Sequence, residues 1–168
     1  MGKFLFGVMF TLVALAAAIF FYARFGYVTL KANRRPGAIE NYLAHRAFDA
    51  AVDRQAPKVE NPIKPTEESL TQGMMIYTMH CAVCHGSPDK KDNPLGQSFY
   101  PPVPQFTRHA PDMPDWQAYW VLKNGVRYTG MPAWEQTLSD EEMWKVATFL
   151  GNWTNLPPAV KAKFQAAE

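Results

Sequence analysis

No charged residue occurs between Lys3 and Arg24. The twenty residues from Phe4 to Ala23, FLFGVMFTLVALAAAIFFYA, therefore constrain this chain more than any other segment. Lipid offers a backbone amide no partner, so a single apolar segment crosses it as a helix. Twenty helical residues span about 30 Å, the depth of a bilayer's hydrocarbon core. Phe20, Phe21, Tyr22, Phe25 and Tyr27 gather at one end, where aromatic rings suit the interface. The rival reading is a cleaved secretory signal, with Met1-Gly2-Lys3 as its basic start. Ala14-Leu15-Ala16 or Ala16-Ala17-Ala18 would then be the small-residue cleavage site. The apolar run continues past those alanines through Phe20 and Phe21, which favours an uncleaved, single-pass anchor.

Residues 1–65 carry nine Lys/Arg against four Asp/Glu, a net of +5; residues 66–168 carry eight against eleven, a net of −3. The overall +2 is too small to argue for nucleic acid. Basic residues beside a membrane segment suit anionic headgroups. They also bias the following chain toward the cytoplasm, since Arg24, Lys31, Arg34 and Arg35 outnumber Lys3 and the terminal amine.

Hydrophobic residues make up 48% and charged residues 19%, which excludes wholesale disorder. Residues 1–23 read as the anchor and 24–65 as a juxtamembrane linker. Within the linker, 38–55 reads as a helix with Ile39, Tyr42, Leu43, Ala47 and Ala50 near one face. Pro57, Pro62 and Pro65 keep 56–65 extended. A domain over 66–168 begins where Thr66 caps a helix that runs to about His80. Seven prolines between 86 and 114 disfavour regular helix there. A short helix over 115–123 ends at Asn124-Gly125. Ser139-Asp140-Glu141-Glu142 starts the last expected helix, whose buried face holds Met143, Trp144, Val146, Ala147 and Leu150. No strand pattern appears, so the fold class is all-α.

The chain has two cysteines, in Cys81-Ala82-Val83-Cys84-His85. They cannot build a disulfide framework and must be read as a local site. Two thiols at this spacing can each add to a haem vinyl group, and the adjacent histidine then ligates the iron. The competing readings lack their context. A zinc site needs four ligands and no second pair exists; a redox dithiol belongs on a βαβ unit. A sixth iron ligand is best supplied by Met131, in Thr129-Gly130-Met131-Pro132-Ala133-Trp134. Gly130 lets the backbone approach closely and Pro132 stiffens the loop. Spacing leaves Met113 and His109 open as well. Met74, Met75, Met79 and Met143 read as packing residues, and His80 as exposed.

C-A-V-C-H-G, then P-P-V-P, then K-N-G-V-R-Y-T-G-M-P-A-W, before an aromatic-rich last helix, resemble class I monohaem cytochrome c over about residues 66–155. The resemblance implies one covalently bound haem c and a first and last helix that cross at Gly73 and Tyr77. Trp144 or Phe149 would be the aromatic partner there. It also implies that the carbonyl of Pro101 or Pro102 accepts from His85 Nδ1–H, and that Arg127, Tyr128 and Trp134 contact the haem propionates. A membrane anchor ahead of such a domain is similar to bacterial respiratory cytochromes. The implied role is single-electron transfer between redox protein partners in a respiratory or photosynthetic chain, as a carrier or as a subunit of a membrane oxidoreductase complex. No small-molecule substrate is transformed. The implied place is the bacterial inner membrane with the haem domain in the periplasm. That placement opposes the charge bias noted above, and it takes precedence because the bias is statistical. The alternative function is a haem sensor or peroxidase-like protein with a displaceable Met131.

Overall fold

The computed structural model describes residues 1–88 and 93–166, and every regular element among them is helical. The chain forms two compact units, Met1–Lys31 and a second that begins at Ala32. The first is α1, Gly2–Arg24, which contains the whole expected apolar run and has no buried residue. It is long and apolar enough to cross a membrane.

The second unit begins with α2, Ala38–Gln55. Its C-terminal end is fastened to the domain: Val52 and Ala56 are buried. Gln117 Nε2 also donates to Asp53 Oδ1 at 2.6 Å. Near its start, the Tyr100 hydroxyl donates to Glu40 Oε1 at 2.5 Å. The proline-rich connector is held too, by Asn61 Nδ2 donating to Asp115 Oδ2 at 2.7 Å and to Thr148 Oγ1 at 2.9 Å.

α3 is Glu67–His80, capped by Thr66 and Ser69, which satisfy each other's backbone N–H groups. Glu67 and Glu68 lie in its first turn, at the positive end of the helix dipole. Two single-turn helices follow, α4 (Ala82–His85) and α5 (Pro94–Gln97). α6 is Asp115–Asn124 and ends at Gly125, whose φ of 66° suits a residue without Cβ. A 3₁₀ turn covers Trp134–Gln136. α7, Asp140–Gly151, carries the expected capping box between Ser139 and Glu142. α8, Pro158–Ala166, closes the described chain.

The core forms where α3 crosses α7. Gly73 makes the crossing possible: a Cβ there would sit 2.2 Å from the Lys145 carbonyl oxygen. Beside it Tyr77 is fully buried. Its ring lies 5.6 Å from Phe149, 5.3 Å from Trp153 and 5.9 Å from Phe164, spacings that favour tilted and edge-on aromatic contact. Phe149 is therefore the partner at the crossing. Trp144 stacks on Tyr119 of α6 instead, with centroids 4.0 Å apart. α8 carries no expectation from the sequence, yet it inserts Val160 and Phe164 into this core.

Candidate cofactor site

α3 runs straight into the cysteine segment. Cys81 is its C-cap, its N–H bonded to the Tyr77 carbonyl at 2.8 Å. The single turn α4 then presents Cys84 and His85, and Gly86 (φ 91°) reverses the chain. The Tyr77 hydroxyl donates to the Gly86 carbonyl at 2.7 Å and fixes that reversal to the core. Both thiols are free, Cys81 buried and Cys84 half-buried. Burial, reinforced by the neighbouring Cys84, pushes the Cys81 thiol up to about 12. A redox dithiol needs the opposite shift in its attacking sulfur. Among the described residues no three His, Cys, Asp or Glu side chains gather as a metal-ion cluster.

The loop after α5 clamps this turn. His85 Nδ1 bonds to the carbonyl of Pro104 at 3.0 Å. The expectation of Pro101 or Pro102 is thus corrected by two to three residues. The reason is register: Val103 N–H binds the Gly96 carbonyl at 2.9 Å and Phe106 N–H binds the His85 carbonyl at 3.0 Å. That pairing sets Pro104 opposite the ring. Phe106 stacks on the imidazole with centroids 4.4 Å apart. Burial lowers the His85 pKa, and the Pro104 hydrogen bond partly opposes this. The neutral ring with Nδ1 engaged is the form in which histidine binds metals through Nε2.

Two clamping residues left no signal in the sequence. Gln105 Nε2 donates to the Cys84 and Val103 carbonyls at 2.9 and 3.0 Å. Asn93 Nδ2 donates to the Ala82 and Val83 carbonyls at 3.1 and 2.5 Å. A side chain that bonds distant backbone has no spacing rule to betray it. Gly96 is required between them, since a Cβ there would lie 2.2 Å from the Cys84 carbonyl oxygen.

The Met131 loop follows Gly125. Val126 N–H bonds to the Met131 carbonyl at 3.1 Å, and Met131 N–H to Thr129 Oγ1 at 3.1 Å. Met131 and Trp134 are partly buried and pack on the same hydrophobic cluster as Cys81. At Gly130 the close neighbour is Phe99, whose ring lies 2.4 Å from where a Cβ would stand. Trp134 meets the edge of His80 at 5.5 Å, so His80 is half-buried rather than exposed. Among the described residues Trp134 Nε1 is buried with no hydrogen-bond partner, as are Gln105 Oε1 and Thr107 Oγ1. Arg127 and Tyr128 lie outside this packing. Tyr128 is 89% exposed, and the Arg127 guanidinium sits 6.0 Å above its ring. Of the other methionines, Met74 and Met143 are core residues, whereas Met75 and Met79 are exposed. Met113 packs beside Trp144, and His109 is exposed.

Residues 68–150 match the family described as cytochrome c oxidase, cbb3-type, subunit III, just under half of this chain. No curated protein matches. Among solved structures, a chain of the Kuenenia stuttgartiensis reducing HAO-like protein complex is similar at 24% identity, with a TM-score of 0.45. The match covers 62% of this chain and 54% of that one, so this chain spans about half its length. The cysteine turn, its clamp and the Met131 loop all fall within the segment similar to the cbb3-type subunit III family.

Proposed function

We propose that this chain is a membrane-anchored monohaem c-type cytochrome of class I fold. It carries single electrons between redox partners, as a carrier or a subunit of a membrane oxidoreductase complex, from the periplasmic side of a bacterial inner membrane. The observation that carries this reading is the His85 ring, held at Nδ1 by Pro104 and stacked on Phe106 directly after two free thiols. The similarity of residues 68–150 to an oxidase subunit family agrees with it.

The residues present fit a haem. Cys81 and Cys84 would hold it covalently, and His85 Nε2 and the Met131 thioether would ligate its iron. The orphaned Trp134 Nε1 supplies a buried donor for a propionate. When bound, haem supplies a one-electron iron couple, and a thioether ligand raises its potential. The protein's part is to keep His85 neutral and oriented, and to hold Met131 in a loop braced by Thr129. With His85 and Met131 both ligating the iron, no site would remain open for substrate.

The test is an absorption spectrum of the extracted full chain, oxidised and reduced, after acid–acetone treatment. Haem that stays with the chain is expected, with a thioether–iron charge-transfer band that Met131→Ala abolishes. Haem that extracts freely, or none, refutes the proposal. Carbon monoxide binding to the native ferrous protein would favour the open-site sensor or peroxidase-like reading.

A further inference from the structure

α2 is apolar on two opposite faces. Phe48, Ala51 and Val52 form the inner face, half-buried or buried in the domain. On the other side Ile39, Tyr42, Leu43 and Arg46 follow the i, i+3, i+4, i+7 spacing of a single helical stripe. Ile39 is 77% exposed, Tyr42 61% and Leu43 59%. The Arg46 guanidinium lies 5.8 Å over the Tyr42 ring, which leaves its charge at the edge of the stripe. The domain does not cover this face, and a helix that needed only to link two parts of a chain would gain nothing from it.

Two observations say what covers it. The helix that carries the stripe begins fourteen residues after Arg24, the end of a helix long and apolar enough to cross a bilayer. A chain of that length reaches about 45 Å at full extension, so the stripe is held at high local concentration beside a membrane. From Arg24 to Arg46 the charge is one-sided, Arg24, Lys31, Arg34, Arg35 and Arg46 against Glu40, with Asp49 and Asp53 following only later in α2. Glu40 is itself engaged by the Tyr100 hydroxyl. Apolar side chains flanked by arginines match the boundary between acyl chains and anionic headgroups, where long cationic side chains reach outward to phosphate.

We propose that the outer face of α2, formed by Ile39, Tyr42, Leu43 and Arg46, seats in the anionic headgroup layer of the membrane that α1 crosses. The bonds of Glu40 to Tyr100 and of Asp53 to Gln117 make α2 part of the rigid domain. Seating α2 therefore fixes which surface of the domain the membrane leaves open. The seat requires only that α1 lies in a bilayer, and is independent of what Cys81 and Cys84 hold.

The experiment places the photoreactive amino acid p-benzoylphenylalanine at Leu43, and separately at Ile39, in the full chain. Irradiation is done in native membranes and in phosphatidylcholine vesicles with and without phosphatidylglycerol. A control carries it at the exposed Gln136. The expected result is a phospholipid-mass adduct at positions 39 and 43, stronger with phosphatidylglycerol, and none at 136. Arg46→Gln and Arg35→Gln should each lower the seated-to-free ratio about fivefold. A polypeptide adduct at positions 39 and 43 would overturn the proposal in favour of a protein partner, and no adduct at either position would overturn it outright. Both positions are exposed, so folding is preserved and a negative result stands.

Discussion

The crossing of α3 and α7 gives the sharpest test of the fold. Gly73→Ala adds one methyl group. On helix propensity alone it should stabilise α3 by about 1 kcal/mol. The structure predicts the opposite sign. The new carbon would lie 2.2 Å from the Lys145 carbonyl oxygen, 2.8 Å from its carbon and 3.0 Å from Phe149 Cβ. Carbon–oxygen contacts settle at about 3.3 Å or more, so the helices must part by about 1 Å. A gap of that size forfeits roughly a quarter to a half of the dispersion attraction across it. The obstacle is backbone, which cannot rotate away as a flexible side chain would. Overpacking then costs about 3 kcal/mol, the upper end of its usual range. After the propensity gain, the net loss is about 2 kcal/mol. For a domain of this size, that lowers the melting temperature by roughly 8–16 °C. The assay is thermal unfolding of the detergent-extracted full chain, followed by the fluorescence of Trp144 and Trp153 in the core. An unchanged or raised melting temperature would refute the close approach.

Two further predictions test the site and the core. Trp134→Phe removes a buried indole donor that has no hydrogen-bond partner among the described residues, together with part of the ring's packing. It should lower the melting temperature of the haem-free chain by no more than that lost packing costs and shift the reduction potential of the chain carrying the proposed haem; an unchanged potential would show that the indole nitrogen does not face the haem. Tyr77 concerns alkaline pH: burial raises its pKa well above the ordinary value. Because the unfolded tyrosine ionises near 10 while the folded one stays protonated, stability is full below about pH 10 and falls as pH rises beyond it. Tyr77→Phe should flatten that alkaline decline. It should also cost about 1–3 kcal/mol at neutral pH, because the Gly86 carbonyl loses its buried donor. An alkaline slope unchanged by the substitution would remove Tyr77 as its source.

The elements that announced themselves in the sequence did so through local chemistry. Thr66 and Ser139 cap helices through side chains three residues from their targets, and Asn124-Gly125 ends one through Gly125's positive φ, although the close approach of Met131, Pro132 and Ala133 to Gly125 left no such signal. The bounds of α2 and the run within α1 follow from composition and punctuation. What stayed hidden depends on distant partners. Val160 and Phe164 are the two large apolar residues of a short helix, and only their packing in the cluster around Tyr77 explains them. The exposure of Met75 and Met79 is set by which side of α3 meets α7, and their residue type says nothing of it. In the site, the cysteine turn was legible as a motif. Pro104 was not, because three carbonyls in a proline-rich loop look alike until Gly96 and His85 fix its register. The resemblance makes Arg127 and Tyr128 candidates for propionate contact, and the fold turns Tyr128 to solvent.

The burial of Cys81 bears on the order of events during biogenesis. Cys81 is buried in the same hydrophobic cluster as Tyr77, whose ring is surrounded by Phe149, Trp153 and Phe164. The last of these lies 164 − 77 = 87 residues farther along the chain. Until Phe164 has been synthesised, the cluster that holds Cys81 is incomplete. Once the cluster has closed, access requires breaking the most buried part of the domain. A reagent that needs the free Cys81 thiol therefore reaches it most readily before this cluster has closed.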